Sequence, residues 1–298
     1  MQEPVQAAVQ EAIHKPAPEA ALDLAAVQAC EERLVNVWPA PSTLLMEGWA
    51  VRFAHGYSSR ANSASAVVAG ARMDAALLAQ VERLYREAGL PPRLRLTPLA
   101  DPGVAELLVR RGWRVKDEAA TLVLPLKGRS AAPPVPGITL EGAASRRWLA
   151  GVSARQSADK RSPDHLQAIV GALRLPAAFA TLTHEGEAAG FAMAAIDRGY
   201  AEIGSVMLDR RLRGRGLGRA LVEALLTWAG AEGAGTAFLQ VDQANEVALG
   251  LYRSQGFREL YRYRTLMAGE EGSANLPGSS ISVTAPAKPM SGRRPSLA

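Results

Sequence analysis

Val206-Met207-Leu208-Asp209-Arg210-Arg211-Leu212-Arg213-Gly214-Arg215-Gly216-Leu217-Gly218-Arg219-Ala220 decides the reading of this chain. An apolar run ends at Leu208 and a basic glycine-rich turn follows. An amphipathic helix then begins, with Leu221, Val222, Leu225, Leu226 and Ala229 on one face. Such a turn offers backbone N–H groups, clear of side chains, at the positive end of a helix dipole, which is a seat for phosphate. Arg210, Arg211, Arg213, Arg215 and Arg219 add full positive charge. The stretch reads as the diphosphate site of a nucleotide-like cofactor. The alternatives are a solvated basic helix start and an RNA-binding loop. Without an anion the five arginines repel one another, and an RNA loop wants interleaved aromatics, which this one lacks.

On either side of the turn, periodicity sets out a series of elements. Upstream, Ala177–Thr183, Ala188–Asp197 and Tyr200–Leu208 read as strands joined by turns at Glu185-Gly186 and Arg198-Gly199. Downstream come a strand over 235–241, a helix over 245–254 stopped at Gly256, and a closing strand over 257–266. Helices are expected at 144–156 and 162–173, after a strand at 138–140. Earlier in the chain lie a helix at 22–37, strands at 45–56 and 64–69, a helix at 74–88, a strand at 93–99, a short helix at 104–111 and a strand pair running to Leu126. The proline-rich stretch 128–137 is the expected linker. Residues 1–20 and 268–298 lack periodicity and are expected to be a flexible N-terminus and a disordered tail.

The two halves echo each other. Aligning Gly112-Trp113 with Gly256-Phe257 brings the helix at 74–88 near that at 218–231 and the strand at 93–99 near that at 235–241. This suggests two copies of one unit, at 21–127 and 138–267. The N-terminal copy has Ala69-Gly70-Ala71-Arg72-Met73 before its helix, and Leu108 where the C-terminal copy has Tyr252. Only the C-terminal copy therefore carries residues equipped for chemistry.

Composition is that of an ordinary globular chain: 298 residues, 48% hydrophobic and 21% charged, with a net charge of +5 that argues only weakly for nucleic acid. The lone cysteine, Cys30, allows neither an internal disulfide nor a cysteine-based zinc site and reads as a buried thiol. The histidines at 14, 55, 165 and 184 have no metal-ligand spacing. The N-terminus lacks the pattern of a signal peptide and no apolar run approaches a membrane span, so a cytoplasmic protein with no membrane partner is expected.

The turn does not suit a dinucleotide fold, whose last glycine would fall at Arg219, nor a P-loop, which needs Gly-Lys-Ser/Thr. Arg213-x-x-Gly216-x-Gly218 resembles the acetyl-CoA signature of the GNAT N-acetyltransferase superfamily. Asn245, Ala248, Leu251-Tyr252 and Gly256-Phe257 match that superfamily's closing pattern. The resemblance covers 138–267, and 45–126 resembles a degenerate copy in a tandem arrangement. It implies an α/β fold of two units, each a mixed sheet flanked by helices.

The resemblance also implies an activity: transfer of an acetyl or larger acyl group from acetyl-CoA to a small-molecule, amino-acid or protein amine, with no metal. Arg213, Gly214, Arg215, Gly216, Leu217, Gly218 and Arg219 would anchor the diphosphate. Val206, Met207 and Leu208 would orient the thioester arm, with backbone groups of Val206 and Leu208 bonding to it as an added strand. Glu202 lies in the mostly apolar run Tyr200–Leu208, where its pKa should rise, and is either the general base or a solvated carboxylate. Tyr252 would protonate the departing thiolate; an aromatic packed in the core is the alternative. Asn245 either caps its helix or touches the coenzyme. The polar run Gly56–Ser63 is either a substrate-cleft wall or a structured turn. A non-catalytic acyl-CoA sensor and a basic RNA- or protein-binding adaptor stay open as other classes.

Overall fold

The computed structural model describes residues 22–156 and 162–269. Helix α1 (Leu24–Val37) leads into the hairpin β1 (Ser42–Met46) and β2 (Trp49–Phe53). A 3₁₀ turn (Ser59–Ala61), β3 (Ala64–Ala66), α2 (Ala75–Glu87), β4 (Arg93–Leu96), α3 (Pro102–Arg110) and β5 (Arg114–Pro125) complete the first half. The second half runs β6 (Ile138–Glu141), α4 (Arg146–Ala154), α5 (Pro163–Ala172), β7 (Ala177–His184), β8 (Glu187–Asp197) and β9 (Tyr200–Leu208). It continues through a 3₁₀ turn (Arg210–Leu212) to α6 (Leu217–Ala231), β10 (Thr236–Asp242), α7 (Glu246–Ser254) and β11 (Arg258–Met267).

Two expectations are corrected. The strand expected over 45–56 is a hairpin, because Glu47 and Gly48 both take positive φ (47° and 86°), which is the turn geometry that joins twisted strands. The strand pair expected before Leu126 is the single long strand β5. The stretch 128–137 is also tied down: the Arg129 guanidinium grips both oxygens of Glu223 at 2.7 Å, and Ala132 N donates to Thr227 on α6.

All eleven strands form one mixed sheet in the order β1-β2-β3-β4-β11-β5-β10-β9-β8-β7-β6. The repeat is visible in its geometry. Strands β3 and β4 pair in parallel, as do β9 and β10, and the next ladder is antiparallel in each case. Helices α3 and α7 end alike: Trp113 N donates to Leu108 O and Phe257 N to Tyr252 O, around Gly112 and Gly256 at φ 71° and 95°.

The halves do not keep separate sheets. Strand β11 lies between β4 and β5, and β5 lies between β11 and β10, so each half's last strand is inserted into the other's sheet.

Alternation along the strands divides the core into two layers. Phe191, Met193 and Ala195 of β8 face a layer with α1, α4 and α5. Ala192, Ala194 and Ile196 face a second layer with α6 and α7. Helix α1, from the first half, packs on β8 and β9 of the second. Burying that apolar face at about 25 cal/mol per Å² joins the halves independently of the strand exchange.

Candidate active site

Strand β9 is regular up to Gly204 and irregular beyond it. Its antiparallel pairing with β8 runs Ala201↔Ile196, Glu202↔Ala195, Ile203↔Ala194 and Gly204↔Met193, then resumes at Met207↔Phe191. Ser205 and Val206 therefore face the single residue Ala192. Ser205 sits at φ 52°, the left-handed conformation of a β-bulge. On its other side β9 pairs with β10 in parallel over Tyr200↔Thr236, Ala201↔Ala237 and Glu202↔Phe238. Beyond Glu202 that ladder stops and the two strands splay apart.

The wedge between them exposes backbone. Asp209 N donates to Ala189 O, so Asp209 and Met207 direct their groups toward β8. By the alternation of an antiparallel ladder, the carbonyl of Val206 and both backbone groups of Leu208 face the wedge instead.

At the end of β9 the chain turns through Gly214 and Gly216, both at positive φ (76° and 75°), into α6. Gly216 is the cap residue of α6, and no side chain caps that end, so its first amides are left for an anion. A Cβ at either glycine would meet nothing within 4 Å, so backbone conformation rather than crowding requires glycine there. Arg210, Arg211, Arg213, Arg215 and Arg219 are all exposed around the turn. Two of them reach carboxylates loosely, Arg211 to Asp209 at 3.8 Å and Arg219 to Glu223 at 3.9 Å. Five exposed cations thus surround a helix start that no side chain caps.

A cavity of about 360 Å³ opens at the wedge. Ile203 to Met207 line it from β9, Gln240 to Asp242 from β10, and Asn245, Ala248 and Tyr252 from one face of α7. The first half contributes Trp38, Tyr57 to Arg60, and Lys116 to Ala119 to the opposite wall, and Gln156, Tyr263 and Thr265 of the second half complete the lining.

Glu202 lies beside this cavity and is fully buried. Burial raises its pKa above the usual glutamate value, and Arg60 opposes that rise. Arg60 Nη1 donates to Glu202 Oε1 at 2.9 Å, while Oε2 has no hydrogen-bond partner among the described residues. Tyr252 is 7% exposed and packs edge-on against Phe257 at 5.9 Å between ring centres. Burial, with the Glu202 charge adding to it, pushes the Tyr252 phenol up to about 12, so it keeps its proton at neutral pH. Asn245 accepts from Ala248 N at 3.1 Å, which makes it the cap of α7, and it also lines the cavity.

Comparison with known proteins places this geometry. Residues 24–266 match the family model described as "Probable histone acetyltransferase Rv0428c C-terminal". The chain belongs to this family of GNAT-type acetyltransferases. The [ribosomal protein bS18]-alanine N-acetyltransferase of Escherichia coli (strain K12) is 36% identical over 78 residues, 26% of this chain and 53% of that protein. The chain thus spans about half the length of the curated relatives it matches. Among solved structures, a GCN5-related N-acetyltransferase from Kribbella flavida shares the fold, with a TM-score of 0.59 at 18% identity over 84% of this chain and 96% of that one. A tandem GNAT protein from the clavulanic acid biosynthesis pathway also shares it, with a TM-score of 0.53 at 20% identity, covering 65% of this chain and 69% of the other.

The structure gathers most of the residues singled out in the sequence. Val206, Met207, Asn245 and Tyr252 line the cavity, Glu202 lies beside it, and Leu208 continues the wedge toward Arg213 to Arg219. The Leu208 side chain packs in the second core layer, so only its backbone faces the wedge. Of the polar run 56–63, Tyr57, Ser58, Ser59 and Arg60 form part of the wall.

Two residues were missed by sequence reasoning. Arg60 was seen within that run but not as the partner of Glu202, 142 positions away. Arg52 was not noticed at all. It is fully buried, with no carboxylate partner among the described residues, and burial lowers its guanidinium pKa to about 9. Its Nη1 donates to Arg60 O at 2.9 Å and its Nη2 to Trp38 O, so it holds two pieces of the cavity wall. The available signal was an arginine at an apolar position of a strand (Trp49-Ala-Val-Arg52-Phe53).

Proposed function

We propose that this chain is an N-acetyltransferase that moves an acetyl group from acetyl-CoA to an amine by direct attack. The observation that carries the reading is the wedge. Parallel pairing of β9 and β10 ends at Glu202 and Phe238, and the freed backbone leads to a glycine turn ringed by arginines. The donor groups fit the coenzyme. Arg213, Gly214, Arg215, Gly216, Leu217, Gly218 and Arg219 hold its diphosphate, and the Val206 and Leu208 backbones hydrogen-bond its arm as an added strand, with Met207 beside them. The bound coenzyme supplies an acetyl thioester.

The chain's own groups manage protons. A lysine-like amine, with a pKa near 10.4, is mostly protonated at neutral pH and cannot attack. Glu202, directly or through water, takes that proton, a role that suits a buried carboxylate with raised proton affinity. Tyr252 donates its proton to the departing sulfur. Asn245 fixes the start of α7, and therefore the position of Tyr252, by capping it. The amine arrives from the wall built by Trp38, Tyr57 and Arg60, across the sheet from α7.

Protein amines are the acceptor class we favour. The matched family is described for histones, and the Escherichia coli relative for an alanine of a ribosomal protein. The same reading takes the chain as two units at 21–127 and 138–267, the first serving as acceptor wall. It also takes a cytoplasmic setting, consistent with the buried Cys30 thiol, which burial pushes up to about 12. Among the described residues no helix is long and apolar enough to cross a membrane.

Calorimetric titration with acetyl-CoA, followed by thiol release with alanine-terminated and lysine-containing peptides, tests the reading. Saturable binding with peptide-dependent thiol release is expected. Binding without turnover across small and peptide amines would leave a sensor, and absence of binding would reject the coenzyme site.

A further inference from the structure

The copy without a glycine turn still reaches into the site of the other. Arg60 stands on the 3₁₀ turn after β2, in the first half, and its guanidinium meets Glu202 Oε1 on β9 at 2.9 Å. The two differ in setting: the Arg60 side chain is 23% exposed and lines the cavity, whereas Glu202 is 0% exposed. One end of the pair therefore faces whatever enters the cavity and the other is sealed in protein.

Arg60 is held there from three directions. Its guanidinium lies over the Trp38 ring, 5.1 Å from the centroid. Arg52 Nη1 grips its carbonyl, and the same Arg52 side chain grips the Trp38 carbonyl. The Ser58 side chain caps the turn by accepting from Ala61 N, and the Trp38 indole N–H donates to the same Ser58 oxygen at 3.1 Å. An exposed arginine loses rotamer entropy to keep one geometry, and here buried scaffolding has already restricted it.

The groups around Glu202 leave few alternatives. Strands β8 and β10 offer Ala195 and Phe238, which carry no charge. Helix α7 offers Tyr252, neutral at ordinary pH, and Trp38, just past the end of α1, contacts Arg60. Gly204, two residues along β9, brings no side chain. Arg52 is fully buried behind Arg60 and is committed to backbone carbonyls. Among the described residues, Arg60 is the cation in contact with the carboxylate.

We propose that Arg60 is a positioning residue for Glu202: the first half of the chain sets how readily that carboxylate accepts a proton from the acceptor amine. This rests on the base role assigned to Glu202 above. Burial raises the proton affinity of Glu202 and so works against the ionised form that a base needs. Contact with Arg60 makes the carboxylate available.

The test uses the full chain carrying ¹³C at the glutamate δ-carboxyls, with Glu202→Gln identifying the signal. The midpoint of the Glu202 titration is read in wild type, Arg60→Met and Arg60→Gln, without coenzyme or acceptor. Removing an opposite charge at contact distance should raise the midpoint by about one pH unit or more in Arg60→Met. Arg60→Gln, which is gentler on folding and can still donate to Oε1, should raise it less. An unmoved midpoint in both variants would overturn the proposal, as would an unmoved midpoint in Arg60→Gln if Arg60→Met does not fold. The acid limb of kcat/KM, with acetyl-CoA and an alanine-terminated peptide as probes, should move upward in parallel. A shifted carboxyl with an unmoved acid limb would instead overturn Glu202 as the base and leave its electrostatic link to Arg60 standing.

Discussion

A Cβ placed on Gly204 would stand 2.9 Å from Glu202 Oε2 and 3.0 Å from Oε1. The carboxylate folds back over the α-carbon two positions along its own strand, and only the missing side chain leaves it room. Gly204→Ala should therefore push Glu202 off Arg60. Turnover should fall about tenfold or more, because general-base catalysis contributes on the order of a hundredfold or above and depends on position. Acetyl-CoA affinity, measured by calorimetry, should stay within about twofold. A variant with wild-type kcat would mean that the observed carboxylate position is not the one used.

Tyr252→Phe removes the phenolic proton and keeps the edge-on packing against Phe257. A kcat loss of about ten- to a thousandfold is expected, with little change in coenzyme affinity. Equal kcat for the two proteins would leave Tyr252 a packing residue.

Arg213→Ala/Arg215→Ala tests the glycine turn without touching its backbone. Both side chains are exposed and, among the described residues, neither has an ion-pair partner within the chain, so stability should hardly change. Acetyl-CoA should bind about tenfold more weakly at low ionic strength. The gap should narrow with added salt, as screening shortens the reach of the guanidinium charges. Affinity that ignores both the substitutions and the salt would place the diphosphate elsewhere.

Acid should loosen the join between the halves at one identifiable place. Asp197 at the end of β8 is drawn up by burial, but the Asn36 amide at 2.8 Å and Arg198 more than offset this and hold it below the usual aspartate value. A depressed carboxyl contributes stability above its unfolded pKa of about 3.9, and that contribution is lost as pH falls through the lower folded value. Wild type should therefore melt higher than Asp197→Asn near neutrality, and the difference in Tm should shrink below about pH 4. A difference independent of pH would mean that charge plays no part in the contact.

Much of the second half was legible because its signals are local. An apolar run bounded by Gly199 and Asp209 marks β9 to the residue, Asn245 is the cap of α7, and Gly256 ends that helix. The hairpin at Glu47-Gly48 was missed because its single glycine lies between apolar runs that read as one strand. The exchange of β5 and β11 left no mark in the sequence. Hydrophobic alternation says which face of a strand is buried but not which neighbour its backbone finds. Arg60 and Arg52 were obscure for a related reason: each takes its role from groups brought close only by the tertiary fold.

The exchanged strands also limit how this molecule can move. Swinging the two halves apart would break the β4–β11, β11–β5 and β5–β10 ladders at once, so the crossover acts as a weld where many two-part enzymes have a hinge. Trp38, Tyr57 and Arg60 are thereby kept at a set distance from the splayed strands. Under the proposed function, an acceptor amine would meet a rigid gauge, and discrimination between acceptors would rest on whether their bulk fits the gap.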